Sequence, residues 1–200
     1  MKAKLLHHTP LFYAANAARM SHDNHNKSDT DYLNRDVIGK KDYDLVRRVG
    51  FKMKHESTLE PIQYIWDCEF STKTLLALSR HRIGISLTML STRYTTSKNK
   101  DKNKVQYTDD EKFNVYLDRI MDLVYEAIED GYDDDYISLL LPQAYVYRGQ
   151  ITMNIRSFKH FLGLRLKKDA HFQIRELAQQ MLDALPQTHS DLFKGVNDGR

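Results

Sequence analysis

Two segments of the chain alternate between apolar and polar residues with a period of two, the pattern of a β-strand buried on one side only. In the first segment one face carries Ile62, Tyr64, Trp66, Cys68 and Phe70. In the second segment one face carries Tyr145, Tyr147, Ile151, Met153 and Ile155. The opposite face of the second segment carries four hydrogen-bonding side chains, Arg148, Gln150, Thr152 and Asn154. Both segments therefore predict half-buried strands.

The remaining periodic stretches indicate mostly helices. Helical spacing predicts helices over residues 14–20, 41–49, 72–79, about 110–130, a short stretch ending at 141, 156–165 and about 170–185, and residues 2–8 favour a short strand. Gly50 is expected to end the second helix. Polar residues at 21–36 and 97–112 indicate surface loops. The mixed order predicts an α+β fold, with a mixed or antiparallel sheet flanked by helices in a single domain, residues 1–200.

Composition narrows the classes of function. Thirty Lys and Arg residues against 27 Asp and Glu give a formal charge of +3, too small to indicate a nucleic-acid partner. Cys68 is the only cysteine, which excludes an intrachain disulfide and favours a reducing cytoplasm. No apolar run is long enough for a membrane span. His22 and His25 lie in a polar loop, where surface histidines are preferred over a metal site, so no metal is expected.

Six arginines adjoin apolar segments rather than the polar loops: Arg80, Arg82, Arg93, Arg148, Arg156 and Arg165. Each alone has an ordinary explanation, such as a helix C-terminal charge or a surface ion pair. As a set of half-buried guanidinium groups they need anions, and their planar forks suit phosphates and the carbonyl edges of a pyrimidine or flavin. Neither a Gly-x-Gly-x-x-Gly motif nor a P-loop is present, so side chains must hold the phosphates. The residues predict a site for phosphorylated aromatic small molecules, without naming them.

The stretch RHRIGISLTMLSTRY, residues 80–94, resembles the signature motif of the flavin-dependent thymidylate synthases (ThyX). His55, Glu56, Ser57 and Glu60 resemble the family's preceding block. Residues 141–165 resemble its second block, and HFQIRELA, from His171, resembles its closing helix. The resemblance runs from about residue 54 to 185 in the family's order and includes the LLHHTP opening.

The resemblance implies an enzyme that methylates dUMP to dTMP, with methylenetetrahydrofolate as carbon donor and NADPH-reduced FAD as hydride donor. It also implies a homotetramer whose sites draw on several subunits. The positions that match flavin contacts are Ser57, Arg80, His81, Arg82, Asn154, Arg156 and His160. The positions that match dUMP contacts are Arg80, Ser91, Thr92, Arg93, Arg148 and Arg165.

Arg165 matches the residue that the family places against the uracil ring. Because an arginine stays protonated at working pH, Arg165 is expected to stabilise developing negative charge rather than accept a proton. In the family no enzyme thiol attacks the base, so Cys68 is expected to be an inert core residue.

The sequence departs from the family pattern at several positions. Eight residues, Ile83–Leu90, separate Arg82 from Ser91 where the family usually has seven, which predicts a bulge near residues 83–86. Pro61, Ala77, Met89 and His160 also stand where other members carry different side chains. Each of these changes can alter a ligand hydrogen bond at a cost of about 1 kcal/mol.

Two other readings of the same residues stay open. One keeps the fold, the flavin and the nucleotide but makes a different product, such as a hydroxymethylated deoxyuridylate. The other is a nucleic-acid-binding module that uses the arginines on phosphates and would show steep salt dependence without bound flavin.

Overall fold

The computed structural model describes residues 1–21, 23–92 and 104–195. Within these ranges a four-stranded sheet has the order β1-β2-β4-β3, and all neighbouring strands are antiparallel. The strands are β1 (Lys2–His8), β2 (Gln63–Ser71), β3 (Ile85–Met89) and β4 (Val146–Asn154). The prediction of an α+β fold with an antiparallel sheet is confirmed.

Eight α-helices accompany this sheet in the described ranges. They are α1 (Phe12–Met20), α2 (Lys40–Val46), α3 (Thr72–Leu78), α4 (Glu111–Glu129), α5 (Asp134–Leu140), α6 (Ile155–Arg165), α7 (Phe172–Asp183) and α8 (Gln187–Ser190). A π-helix follows α2 (Arg47–Lys52), and short 3-10 helices cover His25–Lys27, Glu56–Leu59 and Asp191–Phe193.

The two alternating segments form the two central strands, as predicted. Trp66 of β2 pairs with Ile151 of β4, and both are fully buried. On the same face the rings of Tyr64 and Trp66 contact Phe158 of α6 at centroid distances of 5.7 and 4.9 Å. Burial of these large aromatic surfaces supplies the main stabilisation of the sheet against α6. The other face of β4 remains open to solvent.

Gly50 does not end the second helix, contrary to prediction. The chain continues through Gly50 in the π-helix, where the Met53 amide donates to the Arg48 carbonyl five residues earlier, over 2.8 Å. A Cβ atom at Gly50 would lie 2.4 Å from Leu59 Cδ2. Gly50 therefore allows close packing against the 3-10 segment at 56–59 instead of forming a helix cap.

The predicted bulge near residues 83–86 is wrong. β3 pairs with β4 in unbroken register, from Ile85 opposite Met153 to Met89 opposite Gly149. The irregularity lies just before the strand, where Gly84 adopts a positive φ of 67° in a bend. The bend lies before the first pair of β3 and β4 residues. It therefore decides which β3 side chains point to each face of the sheet, and no bulge is needed.

The apolar stripe predicted on α4 is only partly in the core. Leu117, Met121 and Val124 are buried. Phe113, Tyr116 and Leu123, in contrast, are 50%, 60% and 59% exposed. A helix that is apolar on two sides leaves one apolar surface exposed within the described ranges.

Candidate active site

The N-terminus of α6 fixes the bend that follows the Arg-His-Arg motif. Asn154 caps the helix by accepting a hydrogen bond from the Ser157 amide over 2.8 Å. Ser157 Oγ in turn donates to the Ile83 carbonyl over 2.8 Å. A Cβ atom at Gly84 would lie 2.1 Å from Ser157 Oγ, so the close approach requires glycine there. These two hydrogen bonds hold residues 80–84 along α6.

The C-terminus of α6 carries the predicted catalytic arginine. Arg165 Nε donates to His81 Nε2 over 3.0 Å, and Arg165 Nη2 donates to the Ala77 carbonyl over 3.1 Å. Burial, Arg165 and His160 together lower the pKa of His81 to about 4. The imidazole is therefore neutral near pH 7, and Nε2 can accept the hydrogen bond from Arg165 Nε.

Two further cations and one imidazole lie beside this pair. The His81 ring contacts the rings of His160 and Phe161 at centroid distances of 6.0 and 5.2 Å. Burial and the charge of Arg80 lower the pKa of Arg165. Arg80 and Arg82 are exposed, and across the described ranges neither forms an ion pair with a carboxylate. Both guanidinium groups can therefore take an anionic ligand.

Arg156, in the first turn of α6, already has carboxylate partners. Its Nη1 donates to Glu60 Oε1 over 2.6 Å, and its Nε lies 3.5 Å from Glu56 Oε2. Lys159 Nζ donates to Glu56 Oε1 over 2.7 Å. Ser57 is exposed in the same 3-10 segment, so this network places Ser57 beside the start of α6.

Arg148 lies at the other end of β4. It forms a two-pronged hydrogen bond with Asp67 of β2, at 3.0 and 2.6 Å. The backbone amide of Leu90 donates to the Arg148 carbonyl over 3.2 Å, which brings the following residues Ser91 and Thr92 to the same end of the sheet. Arg93 lies outside the described residues.

The predicted contacts thus form two groups within one chain. The residues matched to flavin contacts lie along α6 and the bend before β3, together with Arg165. Arg148, Ser91 and Thr92 lie at the far end of the β3–β4 pair. Arg148 and Asn154 are six residues apart on β4, which corresponds to about 20 Å of strand. The five arginines in the described ranges therefore do not converge within a single chain. Of the five in the described ranges only Arg165 is half-buried, whereas Arg80, Arg82, Arg148 and Arg156 are exposed.

Sequence reasoning missed the carboxylates that pair with the arginines. Asp67 lies on the same face of the sheet as Arg148, and strand alternation alone could have indicated it. The contacts of Arg156 with Glu56 and Glu60 depend on the packing of the 3-10 segment against α6. No local pattern in the sequence indicates this packing.

The sequence also raised a possible metal site, a buried cysteine and the question of a membrane span. The side chains of His22 and His25 lie outside the part of the chain that the structure describes. In the described part, no group of three or more His, Cys, Asp or Glu side chains is arranged to hold a metal ion. Cys68 is buried, as predicted, and burial followed by the charge of Asp67 raises the pKa of its thiol to about 12. No helix in the described ranges is long and apolar enough to cross a membrane.

The single antiparallel sheet, with exposed guanidinium groups beside a neutral imidazole on α6, defines an α+β protein suited to anionic aromatic ligands. The family model described as Thymidylate synthase complementing protein matches residues 4–189. The chain belongs to the flavin-dependent thymidylate synthase family.

Relatives match over almost the whole chain. The flavin-dependent thymidylate synthase of Wolinella succinogenes is 34% identical over 206 residues, covering 96% of this chain and 97% of the relative. That of Campylobacter jejuni strain RM1221 is 32% identical over 207 residues, covering 97% and 96%. The crystal structure of ThyX from Helicobacter pylori complexed with FAD and dUMP has a TM-score of 0.89 at 30% identity, covering 98% of this chain and 99% of that chain.

Proposed function

We propose that this chain catalyses the reductive methylation of dUMP to dTMP, with methylenetetrahydrofolate as carbon donor, FAD as cofactor and NADPH as reductant of the flavin. The proposal draws on family membership and on relatives that carry this enzyme name over nearly their full length. We place the activity in one cytoplasmic domain, residues 1–200, because a single sheet and a single core underlie both groups of predicted contacts.

The residues along α6 fit a flavin dinucleotide. A dinucleotide carries two phosphates, and Arg80 and Arg82 offer exposed guanidinium groups without carboxylate partners in the described ranges. His160 lies beside His81, Ser57 lies beside the start of α6, and both are exposed and can donate hydrogen bonds. These residues, with His81, Asn154 and Arg156, would hold FAD, which supplies hydride chemistry when it is bound.

Arg165 would act on the pyrimidine as a fixed positive charge. Its hydrogen bonds to His81 and the Ala77 carbonyl use Nε and Nη2, which holds the plane of the guanidinium group. Because the charge is held in advance and partly removed from water, it favours the N3-ionised form of the uracil ring. Arg165 does not itself accept a proton, since a guanidinium group remains charged.

We further propose that the active site forms between subunits of a homotetramer. Arg148, Ser91 and Thr92 would hold dUMP, with Arg93 beside them in sequence, yet they lie far from Arg165 in the same chain. A second copy that brings its Arg148 end to the α6 end of the first would complete the site. The exposed apolar side chains of α4 and α5 offer a surface for such association: Phe113, Tyr116, Leu123, Tyr136 and Leu139.

The observation that carries the proposal is the Arg165–His81 contact, at the start of the family's signature motif, in a chain matched over nearly its full length. The experiment is product analysis of purified protein with dUMP, methylenetetrahydrofolate, FAD and NADPH. We expect dTMP, identified by mass, and none when FAD is left out. A nucleotide of another mass, or no new nucleotide, contradicts the proposal.

A further inference from the structure

We infer a second binding site, for a small ligand that carries several phosphate groups, in a basic cavity that none of the candidate active-site residues lines. The basic cavity is lined chiefly by cations of α2, the π-helix and the segment before α2: Lys27, Lys41, Arg47, Arg48 and Lys52. Its volume is about 790 Å³, within the usual range for small-molecule sites. None of these residues matches a flavin or dUMP contact of the family.

The charges in the basic cavity are unbalanced. Asp44 is the only carboxylate among the described residues that line it, and outside the lining the charge of Asp191 also acts on Arg47. Arg19 also lines it, but its guanidinium group is neutralised by the buried Asp42. Throughout the described ranges, none of the other five cations forms an ion pair with a carboxylate. Like charges held together repel one another, so a bound polyanion would be stabilised strongly at this place.

The π-helix concentrates this charge on one side. Arg47 and Lys52 are five residues apart, and in an α-helix they would point about 140° away from each other. In a π-helix the hydrogen bonds run between residues five apart, so such residues stack on one side. Both residues line the basic cavity. Single π-helical turns occur frequently at functional sites.

One wall of the basic cavity is held rigidly by buried hydrogen bonds. The Asp42 carboxylate is fully buried and accepts from Ser28 Oγ over 2.5 Å, Thr30 Oγ1 over 2.6 Å and Arg19 Nε over 2.9 Å. Burial raises the pKa of Asp42, but the hydrogen bonds from Ser28, Thr30 and Arg19 outweigh it and leave the pKa lowered. The carboxylate is thus ionised, and the segment that carries Lys27 is fixed against α2, which reduces the entropy lost when a ligand binds.

Phosphate is the chemistry that these groups fit best. Arg47 and Arg48 offer planar forks that pair with phosphate oxygens, and the lysines add mobile point charges. Five cations against the carboxylates of Asp44 and Asp191 leave a surplus of three positive charges, which matches a ligand with three or more negative charges. The cations line one open cavity instead of forming an extended stripe, and the net charge of the chain is only +3, which favours a small ligand over a nucleic-acid strand.

The test is titration calorimetry of the full chain with tripolyphosphate, ATP and NADP⁺ at about 0.15 M salt. We expect saturable binding of at least one of them, and the tightest ligand identifies the source of the phosphates. The double variant Arg47→Gln/Lys52→Gln should weaken that binding about tenfold or more. The double variant Lys73→Gln/Lys112→Gln removes the same charge from exposed positions elsewhere and should bind like the parent protein.

Three results would overturn the inference. The first is no saturable binding of any of the three ligands. The second is binding that Arg47→Gln/Lys52→Gln leaves unchanged, or weakens no more than Lys73→Gln/Lys112→Gln does, because the ligand would then bind elsewhere or respond to net charge alone. The third is citrate binding as tightly as tripolyphosphate, because the site would then not select phosphate. Equal melting temperatures of both variants and the parent, by circular dichroism, exclude unfolding as the cause of lost binding.

Discussion

Arg165 donates a hydrogen bond to an uncharged histidine, His81, over 3.0 Å. Burial and the positive charge of Arg165 itself keep the imidazole neutral, with a pKa of about 4. This hydrogen bond joins the first half of the signature motif to the last turn of α6. It leaves the positive charge of the Arg165 guanidinium group in place. A carboxylate in place of His81 would hold Arg165 equally well but would neutralise the charge that, in our proposal, acts on the uracil ring.

The charge of Arg165 is therefore the first quantity to test. Arg165→Ala should lower kcat for dTMP formation about a hundredfold or more, as losses of a preorganised charge in an active site do. FAD affinity, measured by fluorescence, should stay within a few-fold. Lys167→Ala alters an exposed cation just beyond α6 and serves as control. Full turnover by Arg165→Ala would contradict the catalytic assignment.

His81 should act on dUMP chemistry through the position of Arg165. His81→Phe keeps a ring against Phe161 but removes the acceptor for Arg165, so kcat should fall about tenfold. His81→Gln supplies an amide oxygen as acceptor and should recover part of that loss. Equal losses in the two variants, in steady-state assays at saturating FAD, would mean that the hydrogen bond to Arg165 does not matter.

The buried pair of Arg19 and Asp42 should dominate the stability of the N-terminal region. Asp42→Asn leaves the Arg19 charge uncompensated, and Arg19 is 10% exposed, so the free energy of unfolding should drop by about 3 to 5 kcal/mol. Glu69→Gln breaks the exposed pair with Lys2 and should cost about 0.5 kcal/mol or less. Urea unfolding monitored by circular dichroism separates the two cases. Similar losses in both variants would contradict this reading.

His189 should make the fold sensitive to mild acid. Its ring is buried, its Nδ1 lies 2.9 Å from Tyr64 Oη, and burial followed by the charge of His8 lowers its pKa to about 4. Because the unfolded state binds the proton more readily, this contribution to stability is present above the ordinary pKa of 6.5 and declines as the pH falls towards 4. Between about pH 7 and pH 5 the loss from His189 should be about 2 kcal/mol.

The measurement for His189 is urea unfolding of the parent and of His189→Asn at both pH values. His81 has a pKa lowered to about the same value and adds a loss of the same sign in both proteins. The variant should therefore lose less stability than the parent between the two pH values. An equal loss in both would show that His189 does not control the acid response.

The strands and the faces they present could be predicted because local alternation determines them. Tyr64, Trp66 and Ile151 are buried where the period of two places them. The course of the chain at Gly50 and Gly84 could not be predicted in this way. Gly50 accommodates Leu59, and Gly84 accommodates Ser157, which is far away in sequence. Such close approaches depend on tertiary packing.

The sequence could indicate the residues of the candidate site but not their arrangement in space. The signature motif indicated His81 and the second block indicated Arg165, and the structure brings the two residues into contact. Arg148 and Asn154 are six residues apart, so the predicted strand already implied that separation, whereas the hydrogen bonds from Arg148 to Asp67 depend on the register of β4 in the sheet. In our proposal a second copy of the chain brings the two groups together.

The central claim is that Arg148 of one chain and Arg165 of another complete one site, and mixed oligomers test it most directly. Arg148→Ala and Arg165→Ala chains, each with a different tag, should be inactive alone. Co-expressed in equal amounts and purified through both tags, they should regain about a quarter of the parent's dTMP formation, because random pairing gives that share of intact sites. If the mixed oligomers stay as inactive as the single variants, both residues serve the same chain's site and the claim is wrong.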